Sequence, residues 1–146
     1  MKKCYLDANV LIYFKDEDSS HHNLSVETIT KLTKEGVNLV ISPLVLDEFL
    51  YVLQYLLRKS ENKNKILTKA LSDVLQLPHL KLISPPIEKE AQHFVLSYME
   101  NFNLRPRDAY HLLTMTYHEV THFVTFDTDF ASVFKGGIVK QILNFS

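Results

Sequence analysis

Short apolar runs alternate along the chain with longer stretches in which apolar residues recur at helical spacing. Residues 4–6, 38–41, 80–83, 122–126 and 138–143 read as strands. Residues 10–14, 22–35, 43 to about 59, 63–77, 87–101 and 107–119 read as helices. The punctuation fits this division. Gly36 stands where a left-handed helix cap is expected. Ser42-Pro43 offers an N-cap followed by proline at the first helical position. Pro78 closes one helix, Pro85-Pro86 marks a turn, Pro106 introduces another helix, and Asp127 opens a short helical turn. Strands alternating with helices predict an α/β fold with a mainly parallel sheet. In such sheets ligands bind outside the carboxyl ends of the strands. Asp7 and Asp127 each follow a strand directly.

The length of 146 residues suits one domain covering 1–146, with no repeat, linker or low-complexity tract to divide it. The formal net charge of −1 argues against a strongly basic nucleic-acid clamp. A polyanion handled by this chain therefore calls for a local positive source, such as bound metal ions. The single cysteine, Cys4, excludes an internal disulfide and suits a reducing, cytoplasmic setting, with core packing as its expected role. No apolar run approaches the roughly 20 residues of a membrane span, and no signal peptide or anchor is expected.

Four acids attract attention, and each is weighed against a plain structural role. Asp7 lies between strand and helix, where an N-cap explains it as readily as chemistry does. Asn9 nearby serves either a cap or a metal-bound water. Asp108 sits in the first turn of a helix, where an acid complements the dipole. Of Asp127 and Asp129, one caps the following turn and the other is free for chemistry; the sequence does not say which. Glu48 differs, because it lies well inside the helix that starts at Pro43. With Glu48 at zero on a wheel of about 100° per residue, Leu44, Tyr55, Val52 and Val45 fall at about −40°, −20°, +40° and +60°. Asp47 falls with Gln54 and Arg58 on the polar arc. Glu48 thus points inward, with no lysine or arginine three or four residues away to neutralise it, and must be paired, protonated or metal-bound. Four converging carboxylates repel one another unless a cation joins them. Mg²⁺ and Mn²⁺ take hard oxygen ligands of this kind, activate water and stabilise in-line phosphoryl displacement.

These residues also resemble a known family. Tyr5-Leu6-Asp7-Ala8-Asn9-Val10-Leu11-Ile12 is similar to the opening strand motif of the PIN-domain family. Ser42-Pro43-Leu44-Val45-Leu46-Asp47-Glu48-Phe49 resembles its glutamate-bearing helix. Arg105-Pro106-Arg107-Asp108-Ala109-Tyr110-His111-Leu112 and Val124-Thr125-Phe126-Asp127-Thr128-Asp129-Phe130 resemble its last two motifs. The order and rough spacing agree over nearly the whole chain. The resemblance implies a three-layer α/β/α sandwich and Mg²⁺- or Mn²⁺-dependent cleavage of RNA. The length is similar to that of VapC-like toxins of toxin–antitoxin pairs, which implies a homodimer silenced by a cognate antitoxin. Carried over by position, Asp7, Glu48, Asp108 and Asp127 match the catalytic acids, with Asp129 as a further metal ligand. Asn9 and Thr125 match supporting positions. Ala8 departs from the pattern, standing where Thr or Ser is common.

Other signals count for less. His118 and His122 are four apart but straddle a change of element, and lack the cysteine or His-Glu-x-x-His context of a zinc site. The basic segment 58–69 reads as a solvated face in preference to an RNA surface. Tyr51, Tyr55, Tyr110 and Tyr117 read as core or interface residues. Two alternatives to a ribonuclease remain. One is a phosphatase with Asp7 as covalent nucleophile, which calls for an acid where Asn9 stands. The other is a PIN-like module that binds RNA or protein without cutting.

Overall fold

A computed structural model describes residues 2–143. Its centre is a five-stranded, all-parallel sheet of order β3-β2-β1-β4-β5. The strands are β1 (Lys3–Leu6), β2 (Asn38–Ile41), β3 (Leu80–Leu82), β4 (His122–Val124) and β5 (Lys140–Gln141). The helices among the described residues are α1 (Ala8–Lys15), α2 (His22–Lys34), α3 (Pro43–Leu56), α4 (Lys63–Leu75), α5 (Lys89–Phe102), α6 (Pro106–Tyr117) and α7 (Ala131–Lys135), with a 3-10 turn at Thr128–Phe130. The architecture is the α/β/α sandwich expected from the sequence. None of these helices is long and apolar enough to cross a membrane.

The apolar runs account for the layering. Cys4, Tyr5 and Leu6 of β1 are all fully buried, so both faces of the central strand are covered. Phe49, Leu112, Met115, Phe123 and Phe130 fill the space around it, each large side chain contributing about 1.5–3 kcal/mol of burial. The edge strands β3 and β5 are short and mostly exposed, which limits pairing with other chains.

Local chemistry sets the boundaries. Gly36, at φ +71°, closes α2 in a Schellman arrangement, with Val37 N–H on the Leu32 carbonyl and Gly36 N–H on that of Thr33. Ser42 caps α3 through its hydroxyl, which accepts from Val45 N–H, and Pro43 follows. The expected extension of α3 to residue 59 does not form. Arg58 folds back over the Tyr55 ring and donates to the Tyr55 carbonyl, taking up a terminal acceptor. Likewise α5 starts at Lys89 and not at 87, because Glu88 is extended and Gln92 donates to the carbonyls of Pro86 and Glu88. The fourth strand stops at Val124, short of the expected 126, because Thr125 and Phe126 bond to side chains of Asp7 and Asn9. Helix α1 starts earlier than expected, at Ala8, since Asp7 caps it. The last strand is shorter than the expected 138–143.

The strand order reverses direction at β1, which has β2 on one side and β4 on the other. A crevice at the carboxyl ends of β1 and β4 follows from that reversal. Leu6 pairs with Val124, and Asp7 N–H donates to the Val124 carbonyl. Asp7 and Thr125 therefore leave the sheet side by side.

Candidate active site

An open cleft of about 660 Å³ lies at this crevice. Asp7, Glu48, Asp108, Asp127 and Asp129 all line it. The sequence-derived acids thus come together, although they lie on β1's end, α3, α6 and the loop after β4.

Asp7 is buried and fully engaged. Its Oδ1 accepts from Ala8 N–H at 2.8 Å, capping α1. Its Oδ2 accepts from the Thr125 hydroxyl at 2.5 Å and from the Asn9 amide at 3.5 Å. The cap and the cleft are not alternatives here, because one carboxylate does both. Asn9 ties the two strand ends further, its Oδ1 accepting from Phe126 N–H at 3.2 Å and its amide reaching Thr125 Oγ1 at 3.4 Å. Thr125 Oγ1 also accepts from Asp127 N–H at 2.9 Å. Burial raises the Asp7 carboxyl above its ordinary pKa; the His111 ring, when it carries a charge, and the Thr125 hydrogen bond oppose the shift, and Glu48 adds to it.

Asp108 sits in the first turn of α6 as expected. Its pKa is pushed up to about 6, first by burial, then by repulsion from Asp127, with the His111 ring opposing when it carries a charge and Asp7 and Glu48 adding. Each of the four acids thus enters one electrostatic cluster. Asp127 caps the 3-10 turn, its Oδ1 accepting from Asp129 N–H at 2.8 Å. Capping does not remove it from the cleft. Asp127 is half-buried and Asp129 exposed, yet both bring a carboxylate oxygen within 4.8 Å of one on Asp108.

Glu48 is half-buried while Asp47 is exposed, as the wheel indicates. Its partners come from another helix. Glu48 Oε1 lies 3.1 Å from His111 Nε2 and 3.3 Å from Arg107 Nε, both on α6. Asp7, Glu48 and His111 also bring ligand atoms within 4.8 Å of one another. His111 and Arg107 were not singled out from the sequence. No charged residue lies three or four positions from Glu48 on α3, and its partners come from α6, a separate stretch of sequence. A signal existed nonetheless, because Asp108 and His111 are three apart on α6 and share a face.

Of the tyrosines read as core or interface, three lie outside the core. Tyr51, Tyr55 and Tyr117 are exposed, Tyr51 at 72% and on the cleft wall. They lie on the outer arc of their helices, beyond the buried stripe of Val45, Phe49 and Leu53 in α3. Residues 58–69 do not line the cleft. Cys4 is buried in β1, its thiol pushed up to about 12 by that burial, as suits a packing role. His118 bonds the Ser84 carbonyl and His122 the Thr121 hydroxyl, and neither joins a ligand cluster among the described residues.

The donor set is chiefly carboxylate oxygen, with one imidazole at the back, and it suits a hard divalent cation. Asp7 and Asp108 are both disfavoured as anions by their surroundings, which a cation would reverse.

Comparison with known proteins places this geometry. A family model for the PIN domain matches residues 4–135. No individual curated protein gives a match. Among solved structures, FitAcB from Neisseria gonorrhoeae is similar at a TM-score of 0.69 and 20% identity, with 96% of each chain covered. VapBC2 from Rickettsia felis, bound to a DNA fragment from their promoter, is similar at 0.62 and 17%, covering 95% of this chain and 96% of that one. The Mycobacterium tuberculosis VapC20, a sarcin-ricin loop cleaving toxin, is similar at 0.62 and 12%, covering 89% and 94%. At these identities the likeness is one of fold.

Proposed function

The chain belongs to the PIN-domain family, and on that premise we propose that it is a divalent-metal-dependent endoribonuclease, the toxin of a toxin–antitoxin pair. The carrying observation is the convergence of Asp7, Glu48, Asp108 and Asp127 on one cleft at the sheet's reversal point. Mg²⁺ or Mn²⁺ would be held by these four acids with Asp129, and would supply the positive charge for hydrolysis of a phosphodiester.

The chain's own residues have separable tasks in this reading. Thr125 and Asn9 orient the Asp7 carboxylate. Arg107 and His111 hold Glu48 at its Oε1. Arg105 and Tyr51, on the cleft wall, offer a cation to a backbone phosphate and a ring face to an unpaired base. A single domain, a cytoplasmic location, a homodimer and an antitoxin partner belong to the same proposal. Exposed Ile87, Phe94 and Leu96 supply apolar surface for protein contacts. The complexes VapBC2 and FitAcB support the partner by analogy.

Purified protein should cut single-stranded RNA with Mg²⁺ or Mn²⁺ and stop on chelation. Asp7→Asn, Glu48→Gln and Asp108→Asn should each lower the cleavage rate by about a hundredfold or more while circular dichroism stays unchanged. Undiminished cutting by all three variants rules the proposal out. Mn²⁺ binding without any cleavage favours the non-catalytic module instead.

A further inference from the structure

Behind the cleft a buried chain of hydrogen bonds leads to Glu48. Val45 N–H donates to Ser42 Oγ at 3.4 Å. Ser42 Oγ lies 2.8 Å from Tyr5 Oη, which lies 2.8 Å from His111 Nδ1. His111 Nε2 lies 3.1 Å from Glu48 Oε1. Ser42, Tyr5 and His111 are all at most 1% exposed. The chain closes on itself: it begins at the N-cap of α3 and ends on a carboxylate of the same helix, passing through β1 and α6.

One direction of donation satisfies every link. Val45 N–H is a fixed donor, so Ser42 Oγ accepts there and its own proton goes to Tyr5. The Tyr5 proton then goes to His111 Nδ1, which leaves Nε2 carrying the hydrogen that Glu48 accepts. Reversal leaves the Ser42 proton with no acceptor among the described hydrogen bonds. In a neutral ring it also sets two lone pairs against each other at 3.1 Å, between Nε2 and Oε1. We infer that His111 is a positioning residue, held by Tyr5 and Ser42 with its proton on Nε2, which fixes Glu48 Oε1 and leaves Oε2 for a divalent cation in the cleft. On this assignment His111 is not itself a metal ligand, although its ring lies within ligand distance of Asp7 and Glu48. Groups behind a ligand that orient it commonly alter metal affinity by about tenfold or more when removed.

The inference rests on the nuclease reading for its metal, and its test separates the two. Nitrogen-15 correlation spectra of the metal-free protein, taken at alkaline pH where the ring is neutral, should show His111 with Nε2 protonated and Nδ1 bare. A neutral ring with its proton on Nδ1 overturns the inference whatever the protein's activity. Calorimetric titration with Mn²⁺ should show affinity lowered about tenfold in Tyr5→Phe and in His111→Leu, with recovery in His111→Gln, whose amide replaces the Nε2 donor. Circular dichroism and thermal melts establish that the variants fold. Wild-type affinity in folded Tyr5→Phe and His111→Leu also overturns it. Absence of Mn²⁺ binding and RNA cleavage in the wild type overturns the nuclease reading, and the spectra alone then decide the tautomer assignment.

Discussion

At the scale of single residues, Thr125 and Asp108 carry contrasting costs. Thr125 Oγ1 donates to Asp7 Oδ2 and accepts from Asp127 N–H. Thr125→Val keeps the shape and leaves both partners short of a bond in a buried place, so it should cost about 1–3 kcal/mol in urea denaturation. Asp108 has the opposite sign. Its folded pKa of about 6 lies above the ordinary value. Its contribution to stability is intact below about pH 4 and is lost as pH rises through about 6, because the folded state then holds an unwelcome charge. Between those limits the stability of metal-free Asp108→Asn should gain on the wild type by on the order of 1 kcal/mol, after discount for partial exposure. Denaturation of both proteins across that pH range checks the direction; a gap that shrinks on raising pH contradicts it.

At the scale of elements, helix ends decide where side chains arrive. Gly36 adopts φ +71°, and a Cβ added there would meet nothing within 4 Å. Gly36→Ala should therefore cost about 1 kcal/mol from backbone conformation alone, read from the urea midpoint with an unchanged slope. The capping residues were legible because they act locally. Gly36 and Ser42-Pro43 have the roles that their neighbours in sequence prescribe. The stops of α3 and β4 were less legible. The first coincides with Arg58 turning back over Tyr55, three residues earlier, and the second depends on Asp7 and Asn9 from a distant segment claiming the residues after Val124.

At the scale of the whole molecule, the cleft gathers charge that the folded chain alone does not neutralise. Mn²⁺ at about a hundred times its dissociation constant should stabilise the protein by about 2.7 kcal/mol, seen as a higher melting temperature. Glu48→Gln should abolish most of that gain, and an equal gain in the variant would place the ion elsewhere.

The sequence by itself determined the alternation of strands and helices, and with it a parallel sheet having Asp7 and Asp127 beyond strand ends. It also selected Glu48 over Asp47, because helical periodicity makes inward-facing positions visible without a partner. Pairing was decided only by tertiary structure. Capping and a place in the cleft coincide in Asp7, both Asp127 and Asp129 reach the cleft, and Glu48 meets Arg107 and His111 from another helix. The physical reason is range. Periodicity and capping act over a few residues, whereas a buried carboxylate is satisfied by whatever the packed layers bring within hydrogen-bond distance, here partners 59 and 63 positions away along the chain.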